Sequence, residues 1–299
     1  MQSKSNIISL KIDVDTYQGM EKGVPVLLEI LRKYDIKATF FLSFGPDNSG
    51  KAIWNIFRKK DFLSKMLRTG APRMYGLKTM LYGTLLPAPI IAASMPRTVD
   101  SVGKDGHEIG VHAWDHRLWQ DNLGKLSVGR IKEEFGKSFD AFRSILGAEP
   151  KATAAPAWLC NLTSLKIQDS LNLEYSSDTR GRLPFYPRIN GDEFKTLQIP
   201  TNQPCIEELI GLDLIDSNNL VEHQISYLRE DAPNIITVHA EVEGNIYKDE
   251  FDQFLKKTIS MGYEYTPLNV VADHFHDSPI RDINYESIPG RSGLVASSI

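Results

Sequence analysis

Ile8-Ser9-Leu10-Lys11-Ile12-Asp13-Val14-Asp15 decides how the rest of the chain is read. Ile8, Leu10, Ile12 and Val14 recur at every second position, the period of a β-strand, and the run ends on two carboxylates. Directly downstream the period changes. Val24, Leu27, Leu28 and Leu31 fall at i, i+3, i+4 and i+7, which is one face of a helix. Ala38-Thr39-Phe40-Phe41-Leu42-Ser43 is then a second apolar strand. Strand, helix and strand at crossover spacing predict parallel pairing and an α/β fold.

The alternation continues outward from this unit. Residues 108–112 make a short strand. Ile131, Phe135, Phe139, Phe142, Ile145 and Leu146 mark a long helix, with Gly147 where its C-terminal stop belongs. Strands are expected at 173–177, 195–199 and 234–239, and helices at 220–229 and 248–261. The reading is one catalytic domain over residues 1–276 and a Pro-, Gly- and Ser-bearing tail over 277–299. Polar clusters close several strands at their C-terminal ends, where parallel sheets and barrels place their chemistry.

Composition narrows the function classes. A 299-residue chain with 41% hydrophobic and 24% charged residues builds a core, and is neither disordered nor a multi-span membrane protein. A net charge of −4 gives no reason to expect nucleic acid as a partner. Cys160 and Cys205 cannot build a disulfide framework, and Asp13 comes too early for an apolar export signal, so the expected setting is cytoplasmic. The net charge hides a basic insertion at 51–97, where nine Lys and Arg face one acid, Asp61; that segment carries +8 and the remainder −12. Trp54, Phe57, Phe62 and Leu63 are interleaved with those charges, the composition of a surface that sits on anionic lipid or packs on its own domain. Residues 79–96 are free of charge, but Gly83, Pro87 and Pro89 argue against a spanning helix there.

Three constellations carry chemistry. Asp13 and Asp15, at i and i+2 on a strand end, can divide into a metal ligand and a free base, or be a turn pair. His112 and His116 suit two imidazoles on one cation, with Asp115 or a nearby carbonyl placed to orient a ring. Two His and one Asp would leave coordination positions open, as a catalytic site for one divalent transition metal requires; Zn, Co, Mn, Ni and Fe are not distinguished. Ile235-Ile236-Thr237-Val238-His239 is a buried strand delivering His239 to its C-terminal edge, as a third ligand or a general acid.

These residues, in this order, resemble the NodB-type polysaccharide deacetylases, carbohydrate esterase family four. The resemblance implies a distorted (β/α) barrel and metal-assisted removal of an N-acyl group from a sugar. It assigns Asp15, His112 and His116 to the metal, Asp13 as general base and His239 as general acid. Two departures stand out. Val14 separates aspartates that are adjacent in the family, and the family's third-motif Arg is missing from Ala154-Ala155-Pro156-Ala157-Trp158. Asp178 and Arg180 are the candidates to fix Asp13 in its place, and Trp158 is either a sugar platform or a core residue.

A closer resemblance, to the bacterial deformylases of 4-deoxy-4-formamido-L-arabinose-phosphoundecaprenol, rests on several further stretches. Among them are Ile12-Asp13-Val14-Asp15-Thr16, Ser177-Asp178-Thr179-Arg180-Gly181, Val238-His239-Ala240-Glu241-Val242-Glu243-Gly244 and Ile288-Pro289-Gly290-Arg291. It implies a lipid-linked sugar substrate, a place in lipid A modification and cationic-peptide resistance, and peripheral attachment to the anionic inner-membrane surface. A deacetylase of another N-acylated sugar and a non-catalytic sugar-binding module of the same fold are the alternative functions.

Overall fold

The computed structural model describes residues 6–52, 78–210, 212, 215–216 and 218–298. In chain order the strands are β1 (Ile7–Val14), β2 (Thr39–Ser43), β3 (Glu108–Ala113), β4 (Ala152–Thr153), β5 (Tyr175–Ser176), β6 (Tyr186–Ile189), β7 (Asp192–Glu193), β8 (Leu197–Gln198), β9 (Asn234–His239) and β10 (Glu264–Tyr265). Eight of them form one sheet in the order β10-β1-β2-β3-β4-β5-β8, with β9 also paired to β1, and every pairing is parallel. The α/β expectation and the barrel-type architecture both hold.

The sheet curls until its far edge returns toward β9, but no strand ladder closes it. The joint consists of single bonds: Asn202 N–H to the Ile235 carbonyl at 3.2 Å, Ile235 N–H to Asn202 Oδ1 at 2.9 Å, and Thr201 Oγ1 to Thr237 Oγ1 at 2.9 Å. That is the physical content of a distorted barrel. It also explains why β5 and β8 are only two residues long where strands over 173–177 and 195–199 were expected, and why β4, which was not expected, is equally short.

Both faces of β1 are consequently buried. Ile8, Leu10, Ile12 and Val14 pack outward in a cluster with Val24, Leu27, Leu28, Leu31, Phe254 and Leu255. Ser9, Lys11 and Asp13 occupy the other face and are just as enclosed. Inside the curl, Phe41, Ala152, Ala154, Tyr175, Leu197 and Ile235 form a second apolar cluster. The long helix runs Val128–Leu146; Ser127 caps its start by accepting from Arg130 N–H, and Gly147 ends it at φ 66°, where a Cβ would be strained.

Residues 79–96 form short turns, Thr79–Leu81 and Ala92–Ser94, in place of a continuous helix. Ile91 and Ala92 are buried there, while Leu85 is 81% exposed. Among the described residues no helix is long and apolar enough to cross a membrane. Trp54, Phe57, Phe62, Leu63 and six of the basic residues of the insertion lie outside the described residues. At the C-terminus, β11 (Ile280–Asp282) pairs with β6, and β12 (Asn284–Glu286) with β13 (Val295–Ser297) make a hairpin. Val295, Ala296 and Ser297 are fully buried, so this stretch packs on the domain, with Arg180 N–H donating to the Ala296 carbonyl at 2.8 Å.

Candidate active site

The parallel register brings the sequence-predicted residues to one rim. Asp13, near the end of β1, is the register partner of His239 on β9 and of Phe41 on β2. His112 comes from β3, and His116 opens the helix His116–Asn122. Asp15, just past β1, lies between the two imidazoles: its Oδ1 is 3.1 Å from His112 Nε2 and its Oδ2 is 3.1 Å from His116 Nε2. Ligand atoms of these three side chains all lie within 4.8 Å of one another.

This trio fits a divalent cation. Asp15 Oδ1 is buried and makes no aligned hydrogen bond although an imidazole nitrogen stands 3.1 Å away, so donor lone pairs converge there. Burial alone would raise the Asp15 carboxyl, but His116 and His112 hold it well below the usual carboxylate range. A charged carboxylate with two nitrogens is a donor set suited to a transition metal.

Asp115 touches neither ring among the described residues. It caps the helix, accepting from Leu118 N–H at 3.0 Å, and accepts from Asn48 Nδ2 at 2.7 Å, while its own N–H donates to Glu134 Oε2 at 3.0 Å. It therefore positions His116 through the backbone, in place of the ring contact expected from sequence.

The cation beside Asp13 is Lys11. Its side chain has no exposed surface, its Nζ lies 3.3 Å from Asp13 Oδ2, and it donates to the Ser177 carbonyl at 3.0 Å. The ammonium also sits 5.3 Å from the Trp158 ring centroid and 5.9 Å from that of Phe41. Asp178 and Arg180 do not perform the task expected of them. Asp178 accepts from Gln168 and Gln198, at 2.7 and 3.2 Å, and burial pushes its carboxyl up. Arg180 Nη1 bonds both oxygens of Glu208 at 3.0 and 3.1 Å, and its Nη2 bonds the Gln203 carbonyl at 3.0 Å. Trp158 is 2% exposed and donates to Thr201 Oγ1, so of its two readings the packed one holds.

His239 stands against acids that carry no motif of their own. Its Nδ1 is 2.9 Å from Glu207 Oε1. Burial by itself would lower this imidazole; Glu207, Asp15 and Asp13 together outweigh it, and the pKa rises well above 6.5. Glu243 accepts from His239 N–H at 2.9 Å, and burial pushes its carboxyl up to about 8. Glu241 is also buried, and burial with the nearby Asp15 charge raises it well above the usual range. Lys11 and Glu207 are the residues sequence reasoning missed. Lys11 carried a readable signal, since it shares the strand face of Asp13 at i−2; Glu207 carried none.

The polysaccharide deacetylase family model matches residues 2–176 of this chain. A protein of Shewanella sediminis, named a probable 4-deoxy-4-formamido-L-arabinose-phosphoundecaprenol deformylase ArnD, is 36% identical over 98% of this chain and 96% of its own. Among solved structures, a Mycobacterium smegmatis protein assigned as a polysaccharide deacetylase superposes with a TM-score of 0.65 at 16% identity, over 96% of both chains. A Bacillus anthracis protein described as a family-four pseudoenzyme shares the fold at a TM-score of 0.54 and 16% identity, over 90% of this chain and 66% of its own. Fold alone therefore does not separate active from inactive members; the rim residues must do so.

Proposed function

This chain belongs to the polysaccharide deacetylase family, hydrolases of amide bonds, and from that premise we propose that it removes formyl from 4-deoxy-4-formamido-L-arabinose-phosphoundecaprenol. The observation that carries the reading is the meeting, at one rim, of a three-donor set with Asp13 and His239 in register beside it. The 36% identical relative, which this chain matches over nearly its whole length, supports the substrate reading. Its product, an amino-sugar on a lipid carrier, would serve lipid A modification and resistance to cationic peptides.

Asp15, His112 and His116 would hold one divalent transition metal, which when bound supplies polarisation of the amide carbonyl and acidification of water. Asp13 accepts the proton of the attacking water, and Lys11 holds that carboxylate in place at the strand end. Glu207 occupies the Nδ1 edge of His239, which leaves Nε2 to donate a proton to the departing amine. Without that proton the amine would be a poor leaving group and the tetrahedral adduct would revert to amide. The raised pKa of His239 keeps the acid loaded at neutral pH.

The enzyme meets its substrate at the cytoplasmic face of the inner membrane, since a polyprenyl tail leaves the bilayer only at about 0.8 kcal/mol per methylene. The +8 charge of residues 51–97 and exposed Leu85 support that placement. Formate release from the synthetic lipid-linked formamido sugar, before and after chelation and metal restoration, tests the activity. Acetate release from chitooligosaccharide with no formate from the lipid would overturn the substrate assignment. Salt-sensitive binding to anionic liposomes tests the placement, and partitioning indifferent to salt would overturn it.

A further inference from the structure

Two guanidinium groups stack on the buried Trp158 ring, Arg180 at 4.8 Å and Arg291 at 4.5 Å from its centroid, and they are not equivalent. Arg180 donates from Nη1 to both oxygens of Glu208 and from Nη2 to the Gln203 carbonyl. Arg291 approaches Glu208 only to 3.8 Å, beyond hydrogen-bond reach, and among the described residues its guanidinium donates no hydrogen bond. Its side chain is 19% exposed, so it is held in place yet open to solvent. A guanidinium with its fork of donors unused is built to receive an acceptor from outside.

The placement is imposed by the backbone. Arg291 follows Gly290, whose φ is 78° and whose Cβ position would lie 2.0 Å from the Glu208 carbonyl oxygen, so only glycine lets the turn press against that helix. Arg291 thereby reaches the acid side of the rim. Its charge helps to lower Glu207, the partner of His239, and Trp158 stands edge-on to His239 with ring centroids 6.4 Å apart. Glu208 is already neutralised by Arg180 and leaves Arg291 its positive field.

We propose that Arg291 is the anion-recognition residue of this site and takes the phosphodiester of a sugar phospholipid. The inference rests on the deformylase reading. In that substrate the formamido group at C4 and the phosphate at C1 lie across the pyranose ring from each other. With the amide nitrogen at His239, the phosphate falls one sugar width away, and Arg291 is the guanidinium that shares the Trp158 ring with His239 while keeping its donors unused. A planar fork suits two phosphodiester oxygens at once, and a neutral polysaccharide has nothing to offer it.

Two measurements on the full chain test this. Calorimetric binding of dibutyl phosphate, a soluble diester, should weaken about 10- to 100-fold in Arg291→Gln and partly recover in Arg291→Lys. The ratio of kcat/KM on the lipid-phosphate sugar to kcat/KM on the neutral methyl glycoside of the same formamido sugar should fall by a similar factor. Equal diester binding by wild type and Arg291→Gln, or an unaltered ratio, overturns the proposal. Absence of formate release from both sugars would instead defeat the deformylase reading, and the diester binding would still decide the anion site.

Discussion

Replacing Lys11 by Met removes a fully buried ammonium 3.3 Å from Asp13 Oδ2 while keeping a linear side chain of similar length. At that distance, and with an effective dielectric constant near 20, the attraction it supplies to the charged carboxylate is about 5 kcal/mol. Part of this is offset by the desolvation Lys11 no longer suffers, so the realised effect is smaller. The Ser177 carbonyl also loses its 3.0 Å donor, which costs stability by about 1–3 kcal/mol. For catalysis the direction is definite. Without the ammonium Asp13 is no longer pinned and loses alignment with its water, worth about 10²-fold in rate. Formate release, with metal content and melting temperature measured on the same samples, separates this loss from unfolding and from metal loss. Lys11→Arg should recover part of the rate. A folded, metal-replete Lys11→Met with the wild-type rate would refute the role given to this side chain.

Asp13→Asn should retain metal by elemental analysis while turnover falls by about 10²–10⁴, the contribution of a general base. His116→Ala should lose metal instead, because it removes one of three donors within 4.8 Å, and added metal should restore activity only at raised concentration. Glu207→Gln removes the largest of the charges that raise His239, so the alkaline limb of the pH–rate profile should shift to lower pH. His107 is held down to about 4 by burial, with Lys37 adding. Its folded pKa lies below the unfolded 6.5, so the stability it contributes is present above 6.5 and is lost as pH falls through about 4. Chemical denaturation of His107→Gln should show a flatter pH dependence across that window.

The legible parts of the fold were those that bury one face against another. The helix Val128–Leu146 announced itself because its phenylalanines recur on one face and Gly147 must adopt a left-handed turn. β9 was read to the residue because a strand covered on both faces needs an unbroken apolar run. β5 and β8 were read within spans longer than the two residues that pair, and β4 was not read at all, since pairing in that half of the barrel is completed by Thr201, Asn202 and their side-chain bonds. The site divides on the same principle. Asp13, Asp15, His112 and His239 stand at strand ends and His116 at the helix start that follows β3, positions that sequence does specify. The groups that tune them do not share those positions. Lys11 lies mid-strand, on a face that alternation alone would assign to solvent, and it is the closing of the curl over that face that makes its charge count. Glu207 arrives from a separate helix, Ile206–Ile210, through a contact that only the tertiary structure creates. Under the proposed reading, Lys11 on β1 brings to Asp13 the positive charge that a third-motif Arg would otherwise supply, because a cation at that carboxylate, and not the chain position it comes from, is what would hold a base in place.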